Sequence, residues 1–177
     1  MRRAPILTTM TAAVLLLAVS SRDGVHAAGS PPDIEATQDS IAIIVNQSNP
    51  VDNLSMQELR TVFLGERSHW PNGRRITLVM MEPAQPERKA VLREIYHMNE
   101  SDFSRHFMRG VFTGEVFVSP KTLATPMGVR KFVFNVPGAI GYVRANDLDD
   151  TVKVIHVDGH LPDDKDYSLR VQPHSTK

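Results

Sequence analysis

The sequence predicts an α/β fold, a mixed and mostly parallel sheet flanked by helices, and three features carry that expectation. Residues 41–45, Ile-Ala-Ile-Ile-Val, form a continuous apolar run of strand length, as in strands buried on both faces of an α/β sheet. Val129, Phe132, Val133 and Val136 recur at helical spacing, and Pro137-Gly138 then ends the helix and opens a strand at Ala139-Ile140-Gly141-Tyr142-Val143. Between these two points, strand-like and helix-like segments alternate, which argues for parallel pairings.

Ahead of the first strand, Arg2 and Arg3 precede an apolar stretch from Ile6 to Val19, and Val25-His26-Ala27 offers a small-x-small cleavage pattern. Residues 1–27 are therefore expected to be a cleaved secretory signal peptide. An uncleaved anchor is the alternative, although the stretch falls short of the ~20 apolar residues of a membrane span. Removal of 27 of the 177 residues leaves 150, enough for one domain with a real core. The loss of Arg2, Arg3, Arg22 and Asp23 leaves 17 basic and 19 acidic residues, a balance that gives no basic surface for nucleic acid. The chain has no cysteine, which excludes disulfides, thiolate metal sites, a cysteine nucleophile and a lipidated cysteine anchor. A free protein of an exported compartment, without stable membrane insertion after cleavage, is the expectation.

Residues 28–40, with Pro31-Pro32 and small polar groups, read as a flexible linker, and 41–170 as the folded domain, followed by a disordered tail over 171–177. The first strand ends at Asn46 in a turn-rich Asn46-Gln47-Ser48-Asn49-Pro50. Ser55 with Glu58 forms a capping-box pattern, so a helix starts there with Leu59, Val62 and Phe63 on its apolar face and stops at Gly65. Trp70-Pro71-Asn72-Gly73 is a turn, and residues 75–80 are a second strand. Pro86 suits the first turn of a helix presenting Val91, Leu92 and Ile95. Another helix is expected to be capped at Ser101, with Phe103, Phe107 and Met108 as its apolar contribution, and a last strand spans 152–157.

Several side chains have two readings. Ser55 either caps its helix or meets a ligand; Gly141 either lets a neighbour pack closely or admits a ligand; Trp70 either packs over the sheet edge or stacks on a partner. His156, Asp158 and His160 would share one face of an extended strand and suit a divalent metal, but Gly159 and Pro162 argue that the strand has ended. No Gly-x-Ser-x-Gly, His-Glu-x-x-His or phosphate-cradling glycine loop is present, so no enzyme and no cofactor are expected.

Four segments in order resemble the phosphate-type periplasmic solute-binding proteins of ABC transporters. They are Ile41 to Asn46; Leu54-Ser55 through Phe63-Leu64-Gly65 to Trp70-Pro71-Asn72-Gly73; the Ile140-Gly141-Tyr142 strand; and Asp158-Gly159-His160-Leu161-Pro162 with Tyr167-Ser168-Leu169. The resemblance covers residues 41–170 and implies a type II periplasmic-binding-protein-like lobe, a short form lacking most of the first lobe. It implies a small anion such as phosphate as ligand, and an ABC permease or sensor protein as partner. Ligands in such a cleft are held by helix N-termini, hydroxyls and charged groups. The resemblance therefore points to Asn46, Ser48, Asn49 and Ser55 on the first loop, Gln85 and Arg88 on the second, and Gly141 and Tyr142 beside them, with a hinge near Asn46 and Val143.

The second loop departs from that pattern. The family's arginine after the strand and its Ser-Gly-Thr are replaced by Met81-Glu82-Pro83-Ala84-Gln85-Pro86-Glu87-Arg88, whose two glutamates would repel phosphate. Arg74, Arg75 and Arg88 are expected on the solvated surface, able to compensate that charge. The competing reading is a protein-interaction scaffold that has lost its small ligand.

Overall fold

The computed structural model describes residues 39–171. A five-stranded sheet runs in the order β4-β3-β5-β1-β6, with β1 at Ile41–Val45, β3 at Thr77–Met81, β4 at Lys121–Leu123, β5 at Ala139–Arg144 and β6 at Lys153–Val154. The β4–β3 and β3–β5 pairs are parallel, while β1 is antiparallel to both β5 and β6, so four strands share one direction and β1 opposes them. The mixed, mostly parallel α/β architecture expected from the sequence is present. The exception is β1. Its continuous apolar run reports burial on both faces, and every residue of it is buried, but burial does not determine strand direction.

A small second sheet joins β2, Asn53–Leu54, to β7, His156–Val157, in parallel. The single strand expected over 152–157 is thus divided between two sheets. Ile155 sits at the break, its N–H donating to the Ile43 carbonyl at 3.1 Å.

The sheet is covered on both faces because adjacent β5 residues point to opposite sides. Gly141 faces helix α4, Pro126–Asn135, and a Cβ there would lie 3.0 Å from Val129 Cγ1 and 3.4 Å from Val79 Cβ. Tyr142 faces away from α4, where its ring lies 6.4 Å from that of Phe63 on helix α1, Met56–Phe63. Tyr96 joins this side. It ends a π-type turn, Leu92–Tyr96, that continues helix α2, Pro86–Val91, and its ring meets Phe63 at 5.9 Å and Phe103 of helix α3, Glu100–Thr113, at 5.0 Å, both edge-on.

Helix boundaries follow the capping chemistry. Ser55 and Glu58 form the complete capping box, and Pro86 occupies the first turn of α2 as expected. Helix α3 starts two residues earlier than expected. Asn99, not Ser101, is its cap, because the Asn99 carboxamide accepts the Asp102 N–H at 2.9 Å while Ser101 lies within the first turn. Thr125 caps α4 through the Gly128 N–H at 3.0 Å.

The Trp70 turn and the Gly141–Tyr142 strand lie against each other. Trp70 is buried, and its indole N–H donates to the Gly138 carbonyl at 3.0 Å. A Cβ on Gly138 would stand 2.0 Å from the Arg75 carbonyl, so only glycine lets the two backbones meet. The domain limits extend slightly beyond 41–170. The Val171 N–H donates to Asp39 O at 2.7 Å, the Ile41 N–H to Leu169 O at 2.8 Å, and the Tyr167 hydroxyl to Ile41 O at 2.6 Å. Asp39, Ser40 and Val171, assigned by the sequence to linker and tail, therefore belong to the fold, because paired backbone and a buried valine hold them there. The expected signal peptide over 1–27 and the rest of the expected linker and tail lie outside the described residues.

Candidate functional site at the rim of the sheet

In an open α/β sheet, ligand contacts gather where parallel strands end and helices begin. Here that rim collects the Glu82–Gln85 loop after β3, the Thr125 start of α4 after β4, Arg144–Asn146 after β5, and Asp39-Ser40 at the entry to β1. Glu82 N–H donates to Leu123 O at 3.1 Å and Ala145 N–H to Ser40 O at 2.9 Å, which fixes these loops side by side.

The eight candidate residues do not converge on the rim. The register pairs Ile41 with Arg144 and Val45 with Ile140, so Asn46 leaves the sheet at the opposite edge, roughly 17 Å away at about 3.4 Å per residue. Asn46 is buried and fully engaged. Its Nδ2 donates to the carbonyls of Val133 at 2.9 Å and Phe134 at 2.6 Å, groups that the last turn of α4 leaves without helical partners, and its Oδ1 accepts from the N–H and hydroxyl of Ser48. Ser48 also accepts from Arg74 Nη1 at 2.8 Å. Asn49 is buried, with Oδ1 accepting the Val51 N–H at 3.0 Å and Nδ2 unpaired.

Ser55 follows β2 and is committed to its own helix, with Glu58 occupying both its N–H and its hydroxyl. Those bonds hold the exposed Glu58 carboxyl below its usual range. Gly141 and Tyr142 lie between the two edges, inside the core. The Tyr142 hydroxyl accepts the Met81 N–H at 3.1 Å, and burial pushes its phenol well above the ordinary range. The expected hinge would have to open the continuous β1–β5 ladder, since Val143 pairs with Ala42 within it.

Only Gln85 and Arg88 belong to the rim. Gln85 is the cap residue of α2 and makes no side-chain capping bond. Arg88 corrects the surface role expected of it, being only 4% exposed. Its guanidinium donates to both Glu100 carboxylate oxygens and to the Met81 carbonyl at 2.8 Å, and stacks 4.8 Å over Phe103. The physical reason is that an unpaired β3 carbonyl, a carboxylate and an aromatic face together replace the water a guanidinium would lose. Arg74 and Arg75 remain exposed.

The same loop contains a second pair that sequence reasoning missed. Glu87, expected to repel anions, is buried and accepts from Arg144, whose Nη1 also lies 3.5 Å from Asp39. The only available signal was the arginine at the end of the β5 run, and nothing in the local pattern links it to a helix 57 residues earlier. Two guanidinium groups at the rim thus face Asp39, Glu87 and Glu100, with Glu82 exposed alongside. Both guanidinium groups are thus compensated by carboxylates.

The His156, Asp158 and His160 spacing does not form a metal site. Asp158 and Gly159 turn the chain through positive φ, Asp158 Oδ1 accepts the Met56 N–H at 2.9 Å, and among the described residues no three His, Asp or Glu side chains are grouped to hold an ion. No helix among the described residues is long and apolar enough to cross a membrane.

Residues 21–167 match the family described as PBP superfamily domain. Among solved structures, the chain is similar to an ABC-type phosphate transport receptor from Vibrio cholerae, at 21% identity and a TM-score of 0.54 over 70% of this chain and 48% of that one. It is also similar to a protein from Clostridium perfringens, described as a candidate phosphate ABC transporter substrate-binding protein with bound phosphate, at 24% identity and a TM-score of 0.56 over 68% and 46%. A third is PstS from Borrelia burgdorferi, at 12% identity and a TM-score of 0.53 over 68% and 47%. At these identities the likeness concerns the fold, and the chain spans about half the length of each structure.

Proposed function

The chain belongs to the PBP superfamily, and from that premise we propose that it is an exported, non-enzymatic binding lobe serving phosphate-type ABC uptake or sensing, which engages a protein partner rather than holding a small anion alone. The observation that carries this reading is the compensated rim. A free oxyanion gains most from unpaired donors and uncompensated positive charge, and here Arg88 is committed to Glu100 and Met81 while Arg144 is committed to Glu87. A phosphate approaching Glu82, Glu87 and Asp39 meets like charge. A partner protein, by contrast, reads a rim of paired charges through shape and complementary charge. Export through the signal peptide, and with it a periplasmic location, is part of the proposal.

The second reading is direct capture of phosphate or another small oxyanion on the rim, completed by a wall from a permease or sensor. Two observations favour it. Gln85 has an uncommitted carboxamide, and the ten-residue helix α4 starts at the same rim. Titration of thermal stability with phosphate and sulfate separates the two. A ligand of the folded state at about 100 times its Kd adds about 2.7 kcal/mol and a clear rise in Tm. The first reading expects no rise with either anion; a rise with phosphate that Gln85→Ala removes would establish the second.

A further inference from the structure

Between the segment after β5 and the loop after β7 lies a groove of about 290 Å³, lined by Ala145, Leu148, Val154, Leu161, Pro162 and Asp163. Leu148 and Val154 pack against the core on one side and are only half-buried, as are Ala145 and Leu161. Asp163 is the one charged side chain of the six. The volume lies below that of an ordinary small-molecule pocket and suits one apolar side chain with its flanking backbone.

Where the chain enters the fold indicates what fills this groove. Both walls are tied to Ser40. On one side the Ala145 N–H donates to Ser40 O at 2.9 Å. On the other, Arg170 Nη1 donates to Ser40 Oγ at 3.4 Å while its Nη2 donates to Asp164 O at 3.2 Å, one residue beyond the groove. The residues that precede Asp39 therefore leave the domain beside the two walls. Ile34 stands six residues before Ser40, and at up to about 3.5 Å per residue that length covers roughly 20 Å, enough to reach along a groove of this size.

Over residues 28–38 Ile34 is the only large apolar side chain, and it is flanked by Asp33 and Glu35. Successive side chains of an extended segment point to opposite sides, so Ile34 can enter the groove while both flanking carboxylates turn away from Asp163. A second segment leaves at the same place, since the Val171 N–H donates to Asp39 O at 2.7 Å. Residues 172–177 read Gln-Pro-His-Ser-Thr-Lys, with no large aliphatic or aromatic side chain to bury.

We propose that residues 33–37 fold back over this groove, with the Ile34 side chain seated among Ala145, Leu148, Val154 and Leu161. The folded unit then begins near Ile34, seven residues after the expected cleavage point at Ala27, and the segment read from composition as a linker acts as a strap across the two walls. The docking does not depend on what the rim binds.

The test is NMR and amide hydrogen exchange on the exported chain, isotope-labelled at its isoleucine and leucine methyls. Magnetisation transfer is expected between the Ile34 methyl and those of Leu148 and Leu161, and the amides of residues 34–37 should exchange at least about tenfold more slowly than in a free chain. Ile34→Ser abolishes that protection and moves the Leu148 and Leu161 resonances while the rest of the spectrum stays in place; Ile34→Val retains the protection. Free-chain exchange at residues 34–37 without contact to either leucine overturns the proposal. Removal of residues 172–177 that moves both leucines, where Ile34→Ser does not, overturns it in favour of the tail. Contacts found only between differently labelled molecules overturn it in favour of a second copy.

Discussion

At the rim, the Met81 carbonyl left over by the end of β3 is met by an ionised side chain, whereas at the opposite edge the carbonyls left by α4 and by the turn before β5 are met by neutral ones. Arg88 closes on Met81 O and Glu100 at the first; Asn46 closes on Val133 O and Phe134 O, and Trp70 on Gly138 O, at the second. Both devices satisfy backbone carbonyls that would otherwise be buried without donors. They differ in what they leave for function. An amide spent on two carbonyls has no donor left over, and a guanidinium paired with a carboxylate has lost the net charge that attracts an anion. In an open α/β sheet the rim is the general ligand edge, and in this chain its two guanidinium groups are committed to carboxylates.

The largest effect should come from breaking the ionised end. Arg88→Met removes the donor to Met81 O and the partner of Glu100, and we expect a loss of about 3 kcal/mol in urea unfolding, limited because Glu100 can turn to water. A loss below 1 kcal/mol would mean that the arginine is a surface group after all. Asn46→Ala at the neutral end should cost about 2 kcal/mol, from two α4 carbonyls left without a donor in a partly buried turn. Equal losses at high and low salt are expected for Asn46→Ala, with a salt-dependent loss for Arg88→Met; the reverse pattern would erase the distinction between the two ends.

Trp70→Phe keeps an aromatic ring near Gly138 but removes the indole donor and part of the ring volume, and should cost about 1 to 2 kcal/mol. Acidification probes two exposed carboxylates at smaller scale. Asp52 is held below its usual range by a hydrogen bond and then by the charge of Lys153, and Glu58 by Ser55. Each folded-state pKa is depressed, so the stabilisation is present above the ordinary carboxylate range and fades as pH falls through the lowered values. Tm should decline below about pH 4, and Asp52→Asn should flatten part of that decline. Smallest of all, Arg74→Ala loses a single exposed bond to Ser48 and should change stability by less than about 0.5 kcal/mol.

Local chemistry made most elements legible. The capping box at Ser55, Pro86 in a first turn and the Pro137-Gly138 stop each act within one helical turn, so a short window of sequence contains all the atoms involved. The division of the expected last strand between β6 and β7 was not legible, because it depends on which neighbours accept each hydrogen bond. Nor was the Asn99 cap, since Asn99 and Ser101 are both good capping types and only helix geometry selects between them. For the site, residue types alone suggested eight candidates, and the register of β1 against β5 then placed them at two edges and in the core.

By itself the sequence determined what must be buried and where helices begin and end: the apolar run of β1, the glycine that admits Val129, the cap of α1 and the proline in the first turn of α2. Only the tertiary structure decided that β1 runs against its neighbours, that Arg88 and Glu87 are spent on Glu100 and Arg144, and that Asn46 holds the end of α4. Propensity and capping act over a few residues, whereas strand direction and charge pairing are settled by groups more than 100 positions apart, such as Ile41 and Arg144 or Asp39 and Arg144, that meet only once the sheet has formed.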